Sequence, residues 1–344
     1  MIGSIGSTLS RLNFPPGATP VSPKIYRILA LSGGGYRGLF AAEILRLLSL
    51  NPNYGPVLRE EIDLFSGTSI GGLIAVGLAI GRTPQELRDA IAEHGPKIFD
   101  DRLRVRGRPL PLRKPTGVLG GLFGSKYDRR HLEDTIREVL GGAQNAVVGN
   151  VEKPFLVVAT CVTTRTPYVI SNLSSSSEVL RMNLVDALLA TSAAPGYFPA
   201  VDAELRSLID GGLVANAPDL VAFAEVIRAG QAPPEAVRML SIGTAGTNAA
   251  GVPRSIGRRG LLRWLSSDLL PLVLDAQERN TIETAATILG ERLLRIDTPP
   301  SPRQDAVLAL DRATGDATRT LLHLANEFVN DLPKSWGGSF FGFP

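Results

Sequence analysis

Glu61-Ile62-Asp63-Leu64-Phe65 reads as a strand, and the chain then runs through Gly67-Thr68-Ser69-Ile70-Gly71-Gly72 into an apolar helix. A strand that turns at G-x-S-x-G straight into a helix has the form of a nucleophile elbow. The small residues Gly67 and Gly71 let the backbone turn sharply and leave the Ser69 hydroxyl clear at the helix N-terminus. Gly-Ser turns are common, so this stretch alone is weak evidence. A glycine-rich loop upstream and an Asp-Gly-Gly downstream strengthen it.

Upstream, Tyr26–Leu31 reads as a buried strand and Leu39–Leu48 as a helix, with Ser32-Gly33-Gly34-Gly35-Tyr36-Arg37-Gly38 between them. Glycines in that position turn orphan amides outward at the positive end of a helix, which favours negative charge. Two uses fit. Gly33-x-Gly35-x-x-Gly38 matches the dinucleotide fingerprint. The same loop, with Gly33, Gly34, Gly35, Arg37 and Gly38, serves equally as an oxyanion hole beside Ser69. The fingerprint expects an acidic residue at the end of the second strand. The chain has Phe65-Ser66 and the elbow there, which favours the oxyanion hole.

Downstream, Ser207-Leu208-Ile209-Asp210-Gly211-Gly212 sets a carboxylate at the end of a short apolar strand. It is either a simple Asp-Gly turn or a base that takes the Ser69 proton, with partial burial raising its pKa. A serine triad would need a histidine in reach, and the chain has three. His94 falls in the last turn of a helix opened by the capping box Thr83-Pro84-Gln85-Glu86, where it complements the helix C-terminus. His131 lies in a charged, solvated stretch. His323 alone has the chain order of a hydrolase triad, but it sits inside the helical run Thr320–Asn326.

Together these residues resemble the patatin-like phospholipase family. That family combines a glycine loop carrying a basic residue, a G-x-S-x-G serine and an Asp followed by glycines. Ala190-Thr191-Ser192-Ala193-Ala194-Pro195-Gly196-Tyr197-Phe198-Pro199 and Leu240-Ser241-Ile242-Gly243-Thr244 resemble it too, so the likeness runs from about Arg27 to Thr244. Many members carry Asp where this chain has Ser32. Little catalytic effect is expected, because the loop's donors are backbone amides. The resemblance implies an α/β fold: a three-layer α/β/α domain with a central, mainly parallel sheet and a largely helical C-terminal extension. It also implies a Ser69–Asp210 dyad hydrolysing phospholipid esters, with amides around Gly34 and Gly35, and Arg37 nearby, holding the oxyanion. Neither metal, cofactor nor histidine is required.

Leu31–Phe40 and the chain length further resemble bacterial patatin-like effectors of cyclic-oligonucleotide antiphage signalling. On that likeness a cyclic dinucleotide or trinucleotide is the expected activator. Two other functions stay open: an esterase or peptidase using the same dyad on small substrates, and a catalytically silent lipid- or nucleotide-binding scaffold. Intact Ser69 and Asp210 argue against the scaffold.

Composition narrows the context. At 344 residues, 44% hydrophobic and with 36 glycines, the chain suits an α/β enzyme with many tight turns. A net charge of +3 is too small to indicate a DNA or RNA polymer. Cys161, the one cysteine, cannot form an intrachain disulfide and suits the core. No apolar run is long enough to span a bilayer, and Met1–Pro23 lacks the pattern of a signal peptide. The expected location is cytoplasmic, with peripheral action on the inner membrane; a homo-oligomer is left open.

The expected organisation is a flexible arm at 1–24, a catalytic domain at 25–250 and a helical region at 251–344 packed on it. Between Asp101 and Arg130 the chain carries Arg102, Arg104, Arg106, Arg108, Arg113, Lys114, Lys126, Arg129 and Arg130 among prolines and glycines. That segment is a solvated loop, a surface for anionic lipid or a site for a phosphate-bearing regulator. Ser174–Ser177 reads as a loop. The aromatic tail Trp336–Pro344 docks on the domain, contacts lipid or a partner, or stays disordered.

Overall fold

The structure, a computed structural model, describes residues 24–100, 102–105, 108–113, 125–203, 206–246, 269–333 and 336–342. The expected arm, apart from Lys24, lies outside the described residues.

The strands are β1 (Tyr26–Leu31), β2 (Leu64–Thr68), β3 (Arg102–Val105), β4 (Arg108–Arg113), β5 (Phe155–Cys161), β6 (Thr166–Ser171), β7 (Val201–Ala203), β8 (Arg206–Asp210), β9 (Val237–Ile242) and β10 (Leu293–Ile296). Eight of them form one sheet in the order β10-β9-β1-β2-β5-β8-β7, with β6 also on β5. Neighbours from β10 to β5 are parallel, whereas β6, β8 and β7 are joined by antiparallel pairing. The sheet is therefore mixed, parallel at its centre.

Alternate residues of β1 show why it is covered on both sides. Leu29 and Leu31 enter one apolar cluster with Phe40, Ile44 and Leu73, while Ile28 and Ala30 enter another with Leu156, Met239 and Val226. A strand buried on both faces reads as a continuous apolar run, and the α/β/α layering follows.

β5 decides where the chemistry falls. β6 runs along one of its edges from Leu156 to Cys161. A strand has two hydrogen-bonding edges, so the other is shared. β2 takes Phe155–Val158 in parallel, and β8 takes Ala159–Cys161 in the opposite direction. Thr68 faces Val158 and Asp210 faces Ala159. The two strands thus run head to head and end at adjacent residues of β5. Ser69, the next residue after β2, is delivered to Asp210, the last residue of β8.

Several local elements differ from the sequence reading. β2 begins at Leu64 and continues to Thr68, so the strand itself enters the elbow. The expected polar loop holds through Ser176, which caps a short helix, Ser177–Arg181, that the loop reading did not include. β3 and β4 form an antiparallel hairpin within the basic segment. The tail docks: Phe340 and Phe341 are buried, Trp336 packs edge-on against Tyr54, and the Phe340 carbonyl accepts from Arg27 Nε at 2.8 Å. Among the described residues no helix is long and apolar enough to cross a membrane.

Candidate active site

Ser69 has φ 55° and ψ −123°, a region that a residue with a Cβ rarely adopts. Holding it there costs on the order of 1–3 kcal/mol, so the surroundings must impose it. A Cβ at Gly67 would strike the Gly71 carbonyl, and one at Gly71 would strike the Leu31 carbonyl. The Ser69 amide donates to Thr191 Oγ1 at 3.0 Å, and the Thr191 hydroxyl donates to the Val158 carbonyl. Thr68 Oγ1 donates to the Ala215 carbonyl at 2.7 Å.

The same Ala190–Pro199 segment holds the carboxylate. The Asp210 amide donates to the Ala193 carbonyl at 3.0 Å, and the Gly211 amide to the Thr191 carbonyl at 3.4 Å. Asp210 is only 7% exposed. Burial pushes its pKa up to about 6, against the opposing pull of the Gly212 amide, 2.7 Å from Oδ1, and of the Ser69 hydroxyl. The carboxylate is therefore ionised at neutral pH yet far more basic than an exposed Asp, as proton abstraction from a serine requires.

Amide accounting sorts the glycine loop. Gly33 N–H donates to the Asn216 carbonyl, Tyr36 N–H to Leu310 and Arg37 N–H to Gly34. Gly38 N–H is spent on the Gly35 and Tyr36 carbonyls. Among the described residues, the Gly34 and Gly35 amides donate to no protein acceptor, and both line the cleft that holds Ser69 and Asp210. Gly35 has φ +56°, and a Cβ there would strike the Leu310 carbonyl, so this turn needs glycine. Gly33, Arg37 and Gly38 stand back from the cleft. The Arg37 side chain is buried, its Nε has no hydrogen-bond partner among the described residues, and its charge opposes the rise that burial causes in the Asp305 pKa.

Behind the loop lies a buried polar network. Asn216 Nδ2 donates to Glu278 Oε2 at 2.7 Å and to the Gly33 carbonyl at 3.3 Å, and its amide donates to Gln277 Oε1 at 2.7 Å. Thr244 Oγ1 also donates to the Gly33 carbonyl. Arg295 donates to Ser32 Oγ at 3.1 Å, Ser241 Oγ at 2.9 Å, Glu278 Oε1 at 2.6 Å and Asp297 Oδ2 at 2.7 Å. The helix Leu269–Leu289, which supplies Gln277 and Glu278, is thereby tied to the residue immediately before the two bare amides. Thr191 lay in a stretch singled out by family likeness. Asn216, Gln277, Glu278 and Arg295 carried no local sequence signal, because their meaning comes only from distant partners.

The cleft encloses roughly 950 Å³ with its open mouth and is walled by apolar side chains, among them Ile70, Leu73, Ile98, Phe99, Phe198 and Leu274. No histidine is among its lining residues. His94 pairs with Glu138 at 3.0 Å, and His323 is exposed beside Glu327 at 3.2 Å. Cys161 is buried at the end of β5.

The family described as "Patatin-like phospholipase" matches residues 29–223. The chain is 36% identical to a "cGAMP-activated phospholipase" of Pseudomonas aeruginosa over 306 residues, 88% of this chain and 87% of the relative. It is 32% identical to a Vibrio cholerae protein of the same name over 329 residues, 89% of this chain and 90% of the relative. Arabidopsis thaliana "Patatin-like protein 2" is 32% identical over 301 residues, 75% of this chain and 70% of the relative.

Proposed function

The chain belongs to the patatin-like phospholipase family and is a lipid acyl hydrolase, and we propose that Ser69 and Asp210 carry its chemistry on membrane phospholipid esters. One observation supports this most directly: β2 and β8 end head to head on β5, bringing the serine to a buried carboxylate beside two uncommitted amides.

Ser69 Oγ attacks the ester carbonyl carbon while its proton passes to Asp210. The carbonyl oxygen becomes an oxyanion held by the Gly34 and Gly35 amides. The tetrahedral intermediate collapses, the C–O bond to the alcohol breaks, and Asp210 returns the proton to the departing lysophospholipid. Water then gives its proton to Asp210 and attacks the acyl-serine. Collapse frees the fatty acid, and the proton goes back to Ser69 Oγ. The apolar cleft accepts the acyl chain and keeps Asp210 basic.

Residues 25–250 are the catalytic domain in this reading, and within the helical region 251–344 the described residues Glu278, Arg295 and Leu310 hold the glycine loop. The enzyme acts peripherally, from the cytoplasmic side. Two bacterial relatives that match along most of the chain are named as cGAMP-activated, which supports a cyclic dinucleotide as the switch in antiphage defence. Fatty-acid release from phospholipid vesicles, measured with and without cGAMP for wild type and Ser69→Ala, tests both parts. Release that appears only with cGAMP and only in wild type is expected. Release by Ser69→Ala would end the dyad reading, and equal release without cGAMP would end the regulatory one.

A further inference from the structure

We propose that Leu272 and Val273 form the face by which this chain docks on a lipid bilayer, setting the mouth of the catalytic cleft against the membrane. The inference rests on the phospholipase reading above and adds to it the surface through which substrate arrives.

The helix Leu269–Leu289 opens with Leu269-Leu270-Pro271-Leu272-Val273-Leu274, six apolar residues before its first charge at Asp275. Leu270 and Leu274 stand one turn apart on one side and line the cleft. Leu272 and Val273 fall on the remaining arc of the same turns and are 50% and 37% exposed. The later part of the helix behaves differently. It carries Glu278 toward the polar network and presents Arg279, Asn280, Glu283 and Thr284 to solvent. A helix that is apolar all round needs apolar surroundings all round. At these turns the inner side has them in the cleft, and the outer side faces water.

The bilayer is the occupant that the geometry favours. Single exposed apolar residues, such as Leu50, are ordinary. An adjacent pair that continues the lining of a lipid-binding cleft outward over its rim is not, because it joins the docking surface to the path the acyl chain must follow. Charge fits as well: in sequence the helix is preceded by Arg258-Arg259-Gly260-Leu261-Leu262-Arg263-Trp264-Leu265. That composition suits the interface of an anionic membrane.

The test is flotation of the full chain with vesicles of phosphatidylethanolamine and phosphatidylglycerol, with and without cGAMP, in a Ser69→Ala background so that the vesicles stay intact. Adding Leu272→Asp and Val273→Asp should weaken vesicle binding at least about tenfold. Leu50→Asp, the same kind of change at an exposed site on another helix, should leave it within about twofold. With Ser69 restored, the double variant should hydrolyse a short monomeric ester as wild type does, which excludes misfolding as the cause. Undiminished vesicle binding by the double variant would overturn the proposal. So would equal weakening by Leu50→Asp, no binding by the parent chain in either condition, or a change confined to self-association. The two readings fail separately. Vesicle hydrolysis with unaltered docking in the double variant removes this inference alone, whereas docking through Leu272 and Val273 without fatty-acid release removes the phospholipase reading alone.

Discussion

Toward the cleft, the loop Ser32–Gly38 offers the bare amides of Gly34 and Gly35 to a space walled by Ile70, Leu73, Phe99 and Phe198. Away from the cleft, Ser32 and Gly33 are gripped by Arg295 and Thr244, while Asn216, at the cleft wall, joins the Gly33 carbonyl to Glu278. The difference separates two jobs. An oxyanion hole needs donors that are rigid but unspent, and polar side chains on the cleft side would satisfy the amides before substrate arrived. Placing most of the polar groups behind the loop fixes it, and Asn216, which reaches the cleft wall, is spent on the Gly33 carbonyl and Glu278 and leaves the two amides free for substrate. The apolar front also raises the Asp210 pKa.

The largest effect that follows from this division is at the front. Ser69→Ala should lower turnover by about 10⁴-fold or more, while His323→Ala, which changes an exposed side chain beside Glu327, should leave most of it. Steady-state hydrolysis of a soluble ester checks both. A collapse in the His323 variant with the fold intact would break the dyad assignment.

Asp210→Asn should cut kcat almost as far, and it should make the protein more stable. The sign follows from linkage. Burial pushes the Asp210 pKa up to about 6 in the folded protein, from an ordinary 3.8. The folded state therefore binds its proton more tightly, and stability falls as pH rises from about 4 through about 6. At neutral pH the ionised, buried carboxylate costs on the order of 3 kcal/mol, and the neutral amide relieves it while still accepting from Gly212. Thermal unfolding at pH 5 and pH 8 should show the variant's advantage growing with pH. The wild-type kcat/KM should in turn lose about tenfold per pH unit below an acid limb near pH 6. No gain in stability would mean that the carboxylate is not held at a cost in the folded protein.

The back of the loop should matter less and in a different way. Asn216→Ala removes the side chain that joins the Gly33 carbonyl to Glu278. Loosening the loop, while removing one polar side chain from the cleft wall, should lower kcat by about tenfold to a hundredfold with a smaller change in KM. Glu278→Gln, which still accepts from Asn216, should retain much more activity. A rise in KM with unchanged kcat would show that Asn216 shapes binding instead of the oxyanion loop.

These two faces were unequally legible in the sequence. The front announced itself in contiguous residues: Gly67-Thr68-Ser69-Ile70-Gly71, the glycine loop and Asp210-Gly211-Gly212 each carry a local backbone reason for their composition. The sheet followed from apolar runs such as Phe155–Cys161. The back was silent because it is built across distance. Asn216 reaches Gly33, 183 residues away, and Arg295 reaches Ser32, 263 away. No spacing rule connects such pairs. The β3–β4 hairpin escaped for another reason: Arg102-Leu103-Arg104-Val105 alternates, but so short a run is outweighed by the arginines, prolines and glycines around it, which read as a loop. Composition marks five residues of the loop alike, whereas hydrogen bonding among the described residues sets the Gly34 and Gly35 amides apart.

The smallest effect is expected where this chain departs from its family. Ser32 is fully buried at the end of β1, its amide donates to the Ile242 carbonyl at 3.0 Å, and its Oγ accepts from Arg295. The position therefore belongs to the back of the loop. In Ser32→Asp the new carboxylate meets a guanidinium already paired with Glu278 and Asp297, so little further attraction is gained, and desolvating a third acid offsets it. The amides of Gly34 and Gly35 keep their places. Turnover should stay within about threefold of wild type, checked by kcat on a soluble ester beside the unfolding temperature. A much larger fall in kcat with the fold intact would mean that charge behind the loop reaches the oxyanion through it, and the division between the two faces would fail at the residue where the chain has changed it.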